Sequence, residues 1–295
     1  MTTTDNWTIL KLLKVSTDFL RDRGAEEPRL DAEVLLAKAK GCQRIQLYTD
    51  YHEEIDDDVR GAYREMIRLR AQGMPAAYLV GHKEFYSLSF QVSPDVLIPR
   101  PETELLVVEL LEFADRLDKD REEILAADVG TGSGCIAVAA AKQSRRLRMY
   151  ALDLSEDELV LAVKNALVHQ VDDRVEFLQG DLLAPLPDDV ELDFVISNPP
   201  YVTAAEMKEL PRDVGEYEPH LALQGGPQGT DVIQRLVPQA ADRLVSGGWL
   251  MMEISPEIAP LVLEIIAAEP RFDSAVARKD RAGLVRFIQA RKRDA

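Results

Sequence analysis

The segment most suited to chemistry is Asn198, Pro199, Pro200 and Tyr201, which follows directly on the apolar run FVIS. Two consecutive prolines restrict the backbone and cannot donate to a strand ladder, so this loop is rigid and presents carbonyl oxygens outward. A side-chain amide or an aromatic amine is a poor nucleophile because its nitrogen lone pair is delocalised. Two fixed acceptors, the Asn198 side-chain oxygen and the Pro199 carbonyl, can hold both N–H hydrogens of such a group and aim its lone pair at an electrophilic carbon. Tyr201 offers a flat face against a planar group and excludes water. The plainer reading is a structural Pro-Pro turn, and the residues of a neighbouring pocket weigh against it.

That pocket is announced by AADVGTGSGC, in which a strand ends at Asp128 and Val129 and a helix begins near Ser133. Gly130, Gly132 and Gly134 form the turn between them, where the backbone must bend sharply and approach a ligand without Cβ atoms in the way. The spacing is GxGxG with Cys135 next, so the third glycine of the dinucleotide fingerprint is missing, which disfavours a nicotinamide cofactor. Two further acids sit at strand ends. Asp153, in MYALDLS, can accept both hydroxyl hydrogens of a ribose, and Asp181, in FLQGDLL, can accept from the exocyclic amine of adenine while Leu182 packs against the base. With Asp128 near the cationic end, the three acids describe a pocket for an adenosyl-amino acid, and S-adenosylmethionine is the leading ligand. No metal is expected, because Cys42 and Cys135 lie far apart in no ligand spacing. His220 is read as a surface residue, and His52, His82 and His169 as structural or exposed.

These residues need a frame to hold them. From Trp7 to about Gly81 the apolar spacing is helical, with Leu10, Leu13, Val15 and Leu20, then Leu30, Val34 and Leu35, then Tyr63, Ile67 and Leu69. Asp56, Asp57 and Asp58 fit the first turn of a helix rather than a metal site. HKEFYSLSFQV alternates around Ser87 as a short hairpin does. After a helix from about Glu102 to Leu117, strands are expected near 124–129, 148–152, 175–178, 193–197, 249–254, 274–278 and 284–290, the last two adjacent. This predicts an α/β fold with a mostly parallel doubly wound sheet carrying one antiparallel strand. The expected division is a helical domain at 1–81, a hairpin linker at 82–95 and a catalytic domain at 96–295.

The chain has 295 residues and a net charge of -17, from 35 Lys and Arg against 52 Asp and Glu. Such a surface repels a phosphate backbone, so duplex DNA is a poor partner. The excess is concentrated after residue 85, where 22 basic side chains face 37 acidic ones, against 13 and 15 before it. No run of apolar residues is long enough to span a membrane, and MTTTDNWTIL lacks the basic-then-apolar pattern of an export leader, so a cytoplasmic protein is expected.

DVGTGSG, NPPY, LDAEVLLA, GHKEFY, LIPRPETE, LMMEIS and AGLVRF together resemble the HemK/PrmC family over nearly the whole chain. The resemblance implies a class I S-adenosylmethionine-dependent methyltransferase, Rossmann-like, that modifies the side-chain nitrogen (N5) of the GGQ glutamine in class 1 peptide-chain release factors. It implies that Gly130, Thr131, Gly132, Ser133, Gly134, Asp153, Leu182 and Asn198 line the cofactor site, and that Asn198 to Tyr201 grip the glutamine. Arg100, Glu102 and Thr103 would close the pocket wall, and the helical part would dock the release factor. A monomer is expected. Two other readings stay open: an adenine-N6 nucleic-acid methyltransferase, opposed by the charge and the lack of a basic stripe, and a non-catalytic adaptor that binds release factors or ribosomes.

Overall fold

The computed structural model describes residues 6–118, 121–280 and 282–294. The first five residues of the N-terminal segment and Ala295 of the basic tail lie outside them. The described chain separates into two compact units.

The smaller unit is helical. Helices α1 (Ile9–Arg21), α2 (Pro28–Lys40), α3 (Arg44–Thr49), α4 (Asp57–Ala71) and α5 (Ala76–Val80) bury Ile9, Leu13, Leu20, Leu35, Leu36 and Tyr63 in one core. Pro28 opens α2 at a position whose N–H has no helical partner, and Gly41 closes it at φ 69°. Leu10 and Val15, expected in the apolar face, are exposed; Ile9 and Leu12 take those places. Asp57 and Asp58 occupy the first turn of α4, whereas the Asp56 side chain makes no capping bond, so the acidic run acts there by charge alone. This unit also includes Pro211–Tyr217 from the far side of the sequence, a segment that a division at residue 81 assigns elsewhere. The nearly buried Arg70 guanidinium holds it, bonding Asp31 at 2.7 Å and Asp213 at 3.4 Å, and the Tyr217 hydroxyl donates to the Gln72 carbonyl at 3.1 Å.

The larger unit begins with a hairpin, β1 (His82–Phe85) and β2 (Leu88–Gln91), turning through Tyr86 and Ser87 at φ 51° and 59°. It is more than a linker. Phe85 and Phe90 are fully buried against the larger unit's core of Leu106, Leu110 and Ile136, and buried Asn165 clamps both backbone groups of Gln91. Then follow α6 (Glu104–Arg116), β3 (Ile124–Val129), α7 (Cys135–Gln143), β4 (Leu147–Asp153), α8 (Glu156–His169), β5 (Val175–Gln179) and β6 (Leu192–Ser197). After α9 (Arg212–Tyr217) of the helical unit come α10 (His220–Leu223), α11 (Asp231–Arg243), β7 (Leu244–Glu253), α12 (Ala259–Ala267), β8 (Val276–Lys279) and β9 (Val285–Arg291).

The seven-stranded sheet has the order β5-β4-β3-β6-β7-β9-β8, with β9 antiparallel to both neighbours and every other adjacent pair parallel. All six residues of β6 are buried, as expected where helices cover both faces of a parallel sheet. The chain leaves β3 toward β4 and β5, then returns to the other side of β3 with β6 and β7. A crevice opens where the direction reverses, at the carboxyl ends of these strands. Register makes those ends level: Val129 pairs with Leu152 on one side and with Ser197 on the other.

Candidate active site

The crevice is lined by Gly130 and Gly132 after β3, Asp153 at the end of β4, Asp181 and Leu182 after β5, and Asn198, Pro199 and Pro200 after β6. Eight of the residues expected from sequence therefore meet in one cleft. Gly130, Gly132 and Gly134 have φ of 73°, 55° and 78°, a region that disfavours side chains. A Cβ at Gly130 would meet no atom within 4 Å, whereas one at Gly134 would lie 3.0 Å from the Ala162 Cβ. The first glycine thus leaves room at the cleft, and the third lets α7 pack on α8.

Asp153 is 8% exposed. One of its oxygens accepts from Gly132 N at 2.9 Å and the other from Ser155 N at 3.1 Å. Each oxygen has a second lone pair beyond these backbone bonds. Beside it lies Glu158, in the first turn of α8 and also on the cleft wall, which sequence reasoning missed. Burial, then the charge of Asp153 and a hydrogen bond to it, push the Glu158 carboxyl up to about 8. At neutral pH the Glu158 carboxyl therefore keeps its proton and donates it to Asp153.

Asp128 departs from expectation. It is wholly buried and does not line the cleft; one oxygen accepts from Thr131 Oγ1 at 2.7 Å and Ala137 N at 3.1 Å, and the other has no partner. Burial outweighs those bonds and raises the carboxyl to about 7. It supports the glycine turn from beneath, together with buried Thr131 and Ser133. Asp181 does reach the cleft rim, where Arg235 of α11 pairs with it, a second residue that sequence reasoning missed. Leu182 holds φ at 53°, a strained conformation for a side chain, while it lines the cleft.

Beneath the NPPY loop, Ser197 Oγ donates to the Val129 carbonyl at 2.7 Å and ties the end of β6 to β3. The Asn198 amide donates to Thr103 Oγ1 at 3.3 Å. Thr103 donates in turn to Glu253 at 2.7 Å, and the Tyr201 hydroxyl reaches the other Glu253 oxygen at 3.3 Å. Tyr201 is therefore anchored behind the loop and does not line the cleft. Burial, then Glu253, raises its phenol above the ordinary range. Arg100, Glu102 and Thr103 also stand outside the cleft wall. Arg100 bonds the buried carboxylate of Glu218 at 2.5 Å, and the same carboxylate takes Ile98 N at 3.2 Å.

The loop after α10 braces NPPY from the other side. Val202 N donates to the Leu223 carbonyl and Gly225 N to the Val202 carbonyl, each at 2.9 Å. Here glycine is required by proximity: a Cβ on Gly225 would stand 2.7 Å from the Pro200 oxygen, and one on Gly229 would stand 2.4 Å from the Tyr201 oxygen. The glycine cluster GGPQG was the available signal for this contact. Glu253, likewise, ends β7 as Asp153 ends β4, and a search for every strand-end acid finds it. Among the described residues no cluster of His, Cys, Asp or Glu is arranged to hold a metal ion.

The chain matches the family described as PrmC N-terminal domain over residues 11–81 and that described as Methyltransferase small domain over residues 105–212. It is 44% identical over 286 residues to the release factor glutamine methyltransferase of Rhodopirellula baltica, covering 97% of each chain. With the enzyme of the same name from Koribacter versatilis it shares 43% over 265 residues, 90% of this chain and 91% of that one. Among solved structures, the hMettl16 catalytic domain superposes with a TM-score of 0.54 at 17% identity, over 78% of this chain and 82% of its own. A methyltransferase from Pyrococcus furiosus gives 0.50 at 16%, over 72% and 92%. At such identities these two likenesses speak for the class I methyltransferase fold alone.

Proposed function

The chain belongs to the release factor glutamine methyltransferase family, and from that premise we propose that it transfers a methyl group from S-adenosylmethionine to the side-chain amide nitrogen (N5) of the GGQ glutamine in class 1 release factors. The observation that carries this reading is the meeting of the NPPY loop with the glycine turn and Asp153 in one cleft.

The residues present suit the cofactor. The free space beside Gly130, the Asp153 carboxylate and the apolar wall at Leu97 and Leu182 match a backbone-hugging amino acid, a ribose and a purine. When bound, S-adenosylmethionine supplies a methyl group activated by a sulfonium. Asn198 Oδ1 and the Pro199 carbonyl accept the two N–H hydrogens of the glutamine amide and localise its lone pair. Such acceptors are rigid because prolines follow, and they need no strong base beforehand. Thr131, Ser133, Gly134 and Asp128 act from beneath by shaping the turn, and Tyr201 acts by anchoring the loop.

The helical unit serves as the docking domain for the release factor: the first 85 residues of the chain, which contain most of it, are near neutral while the remainder of the chain is strongly acidic. The enzyme works as a monomer in the cytoplasm and makes no direct use of nucleic acid; the net charge of -17 favours a protein partner over a polyanion. No helix among the described residues is long and apolar enough to cross a membrane. The test is mass spectrometry of an unmethylated release factor after incubation with this protein and S-adenosylmethionine. A methyl on the GGQ glutamine supports the reading. No methyl there, with cofactor binding intact, returns the substrate to nucleic acids or another protein.

A further inference from the structure

The relay behind NPPY has a direction. Thr103 Oγ1 carries one proton and gives it to Glu253 at 2.7 Å, so its lone pairs face Asn198. Only the NH2 end of the Asn198 amide makes a good bond to that side, and Nδ2 stands 3.3 Å from Thr103 Oγ1. Both Thr103 and Glu253 are at most 4% exposed, so no bulk water competes for these positions. An amide turned the other way would set its hydrogens against the hydrogens of the substrate amide, donor against donor.

We infer that Glu253, acting through Thr103, sets the Asn198 side-chain amide with its oxygen toward the methyl-accepting nitrogen, which makes Thr103 and Glu253 positioning residues of the reaction. The inference rests on the proposed reading of Asn198 as the acceptor for a glutamine N–H. Both residues sit behind the NPPY loop and outside the cleft lining. The Tyr201 hydroxyl on the second Glu253 oxygen joins the other end of NPPY to the same carboxylate. One buried acid from the end of β7 therefore holds both ends of the motif.

The relay is sensitive to pH. Burial pushes the Glu253 carboxyl up to about 7 against the pull of its bonds from Thr103 and Tyr201. Of the other groups around it, Glu102 raises it further and Arg286 on β9 lowers it, while Cys135 stays neutral because its own thiol is pushed up to about 12. Once protonated, Glu253 can donate to Thr103, which frees the Thr103 proton to face Asn198 and removes the preference for one amide orientation. Turnover then falls as pH drops through about 7.

The test measures kcat and KM between about pH 5.5 and 9 with an unmethylated class 1 release factor, and affinity for S-adenosylhomocysteine by calorimetry. Wild type is expected to show an acid limb in kcat. Thr103→Val and Glu253→Gln should lower kcat about tenfold or more, leave S-adenosylhomocysteine affinity within about twofold, and flatten that limb. Thr103→Ser, which keeps the hydroxyl, should restore most of what Thr103→Val loses. An active wild type with both variants unchanged in kcat, or with their acid limb intact, overturns the inference alone. So does a parallel loss of cofactor affinity in both variants, which marks a merely structural role. A wild type that binds S-adenosylhomocysteine but leaves the GGQ glutamine unmethylated overturns the functional reading and the inference with it.

Discussion

Gly225→Ala is a small change with a large expected consequence. A Cβ there lies 2.7 Å from both the Pro200 oxygen and the Tyr201 Cα, and 2.9 Å from the Gly229 carbonyl carbon. All three are backbone atoms, so no rotamer change relieves the overlap. Ordinary contact begins at 3.4 Å, and the two loops must part by about 0.7 Å. Gly225 does not itself occupy the left-handed region, so the effect is purely steric. Displacement of a positioning loop by about 1 Å costs roughly a hundredfold in rate, so kcat should fall about ten- to a hundredfold, or about 1.4 to 2.8 kcal/mol of barrier. The glycine turn and Asp153 are untouched, and affinity for S-adenosylhomocysteine should stay within about twofold. Initial rates of methyl incorporation into an unmethylated release factor, with calorimetry of S-adenosylhomocysteine, measure both quantities. A kcat within twofold of wild type, or an equal loss of cofactor affinity, would refute the view that this loop braces NPPY.

Other residues make separable predictions. Asn198→Ala should lower kcat by more than it lowers cofactor affinity, as for a contact strengthened in the transition state; equal losses in steady-state kinetics and calorimetry sink that role. Asp153→Ala should weaken S-adenosylmethionine binding first, and an unchanged dissociation constant refutes the ribose contact. Glu158 is a carboxyl whose folded value, about 8, exceeds its ordinary 4.5, so the unliganded fold loses stability as pH rises between those values. Melting temperatures of Glu158→Gln and wild type should therefore diverge in favour of the variant from pH 5 to 8 and run parallel above; parallel curves throughout exclude a protonated Glu158 at neutral pH. Gly61 is exposed inside α4 with nothing within 4 Å of a Cβ, and Gly61→Ala should stabilise the chain by about 0.5 to 1 kcal/mol in urea denaturation. A destabilised variant contradicts an unstrained helix there.

Much of the frame was legible because its signals are local. Expected strands at 124–129, 175–178 and 193–197 differ from Ile124–Val129, Val175–Gln179 and Leu192–Ser197 by a residue at most, since apolar runs bounded by turn residues are set by neighbouring positions. The acids at 153 and 181 and the asparagine at 198 were found because a parallel sheet carries its ligands at strand ends. Asp128 follows the same rule in sequence and breaks it in space: helix α7 covers it, and its carboxyl bonds Thr131 and Ala137 instead of a ligand.

What the linear order determines is thus the series of elements, the glycine turn and the rigid NPPY loop, because each depends on residue types within a few positions. What it leaves undetermined are meetings between distant residues. Thr103 and Glu253 are separated by 150 positions, and the NPPY backbone and Gly225 meet only where glycine lets two chains approach closer than side chains permit. Nothing in local spacing places α9 with the helical unit, where Arg70 holds Asp213. Such pairs follow from the crossover of the sheet and the packing above it, and only the folded chain decides which polar groups end up sharing a proton, a bond or a surface.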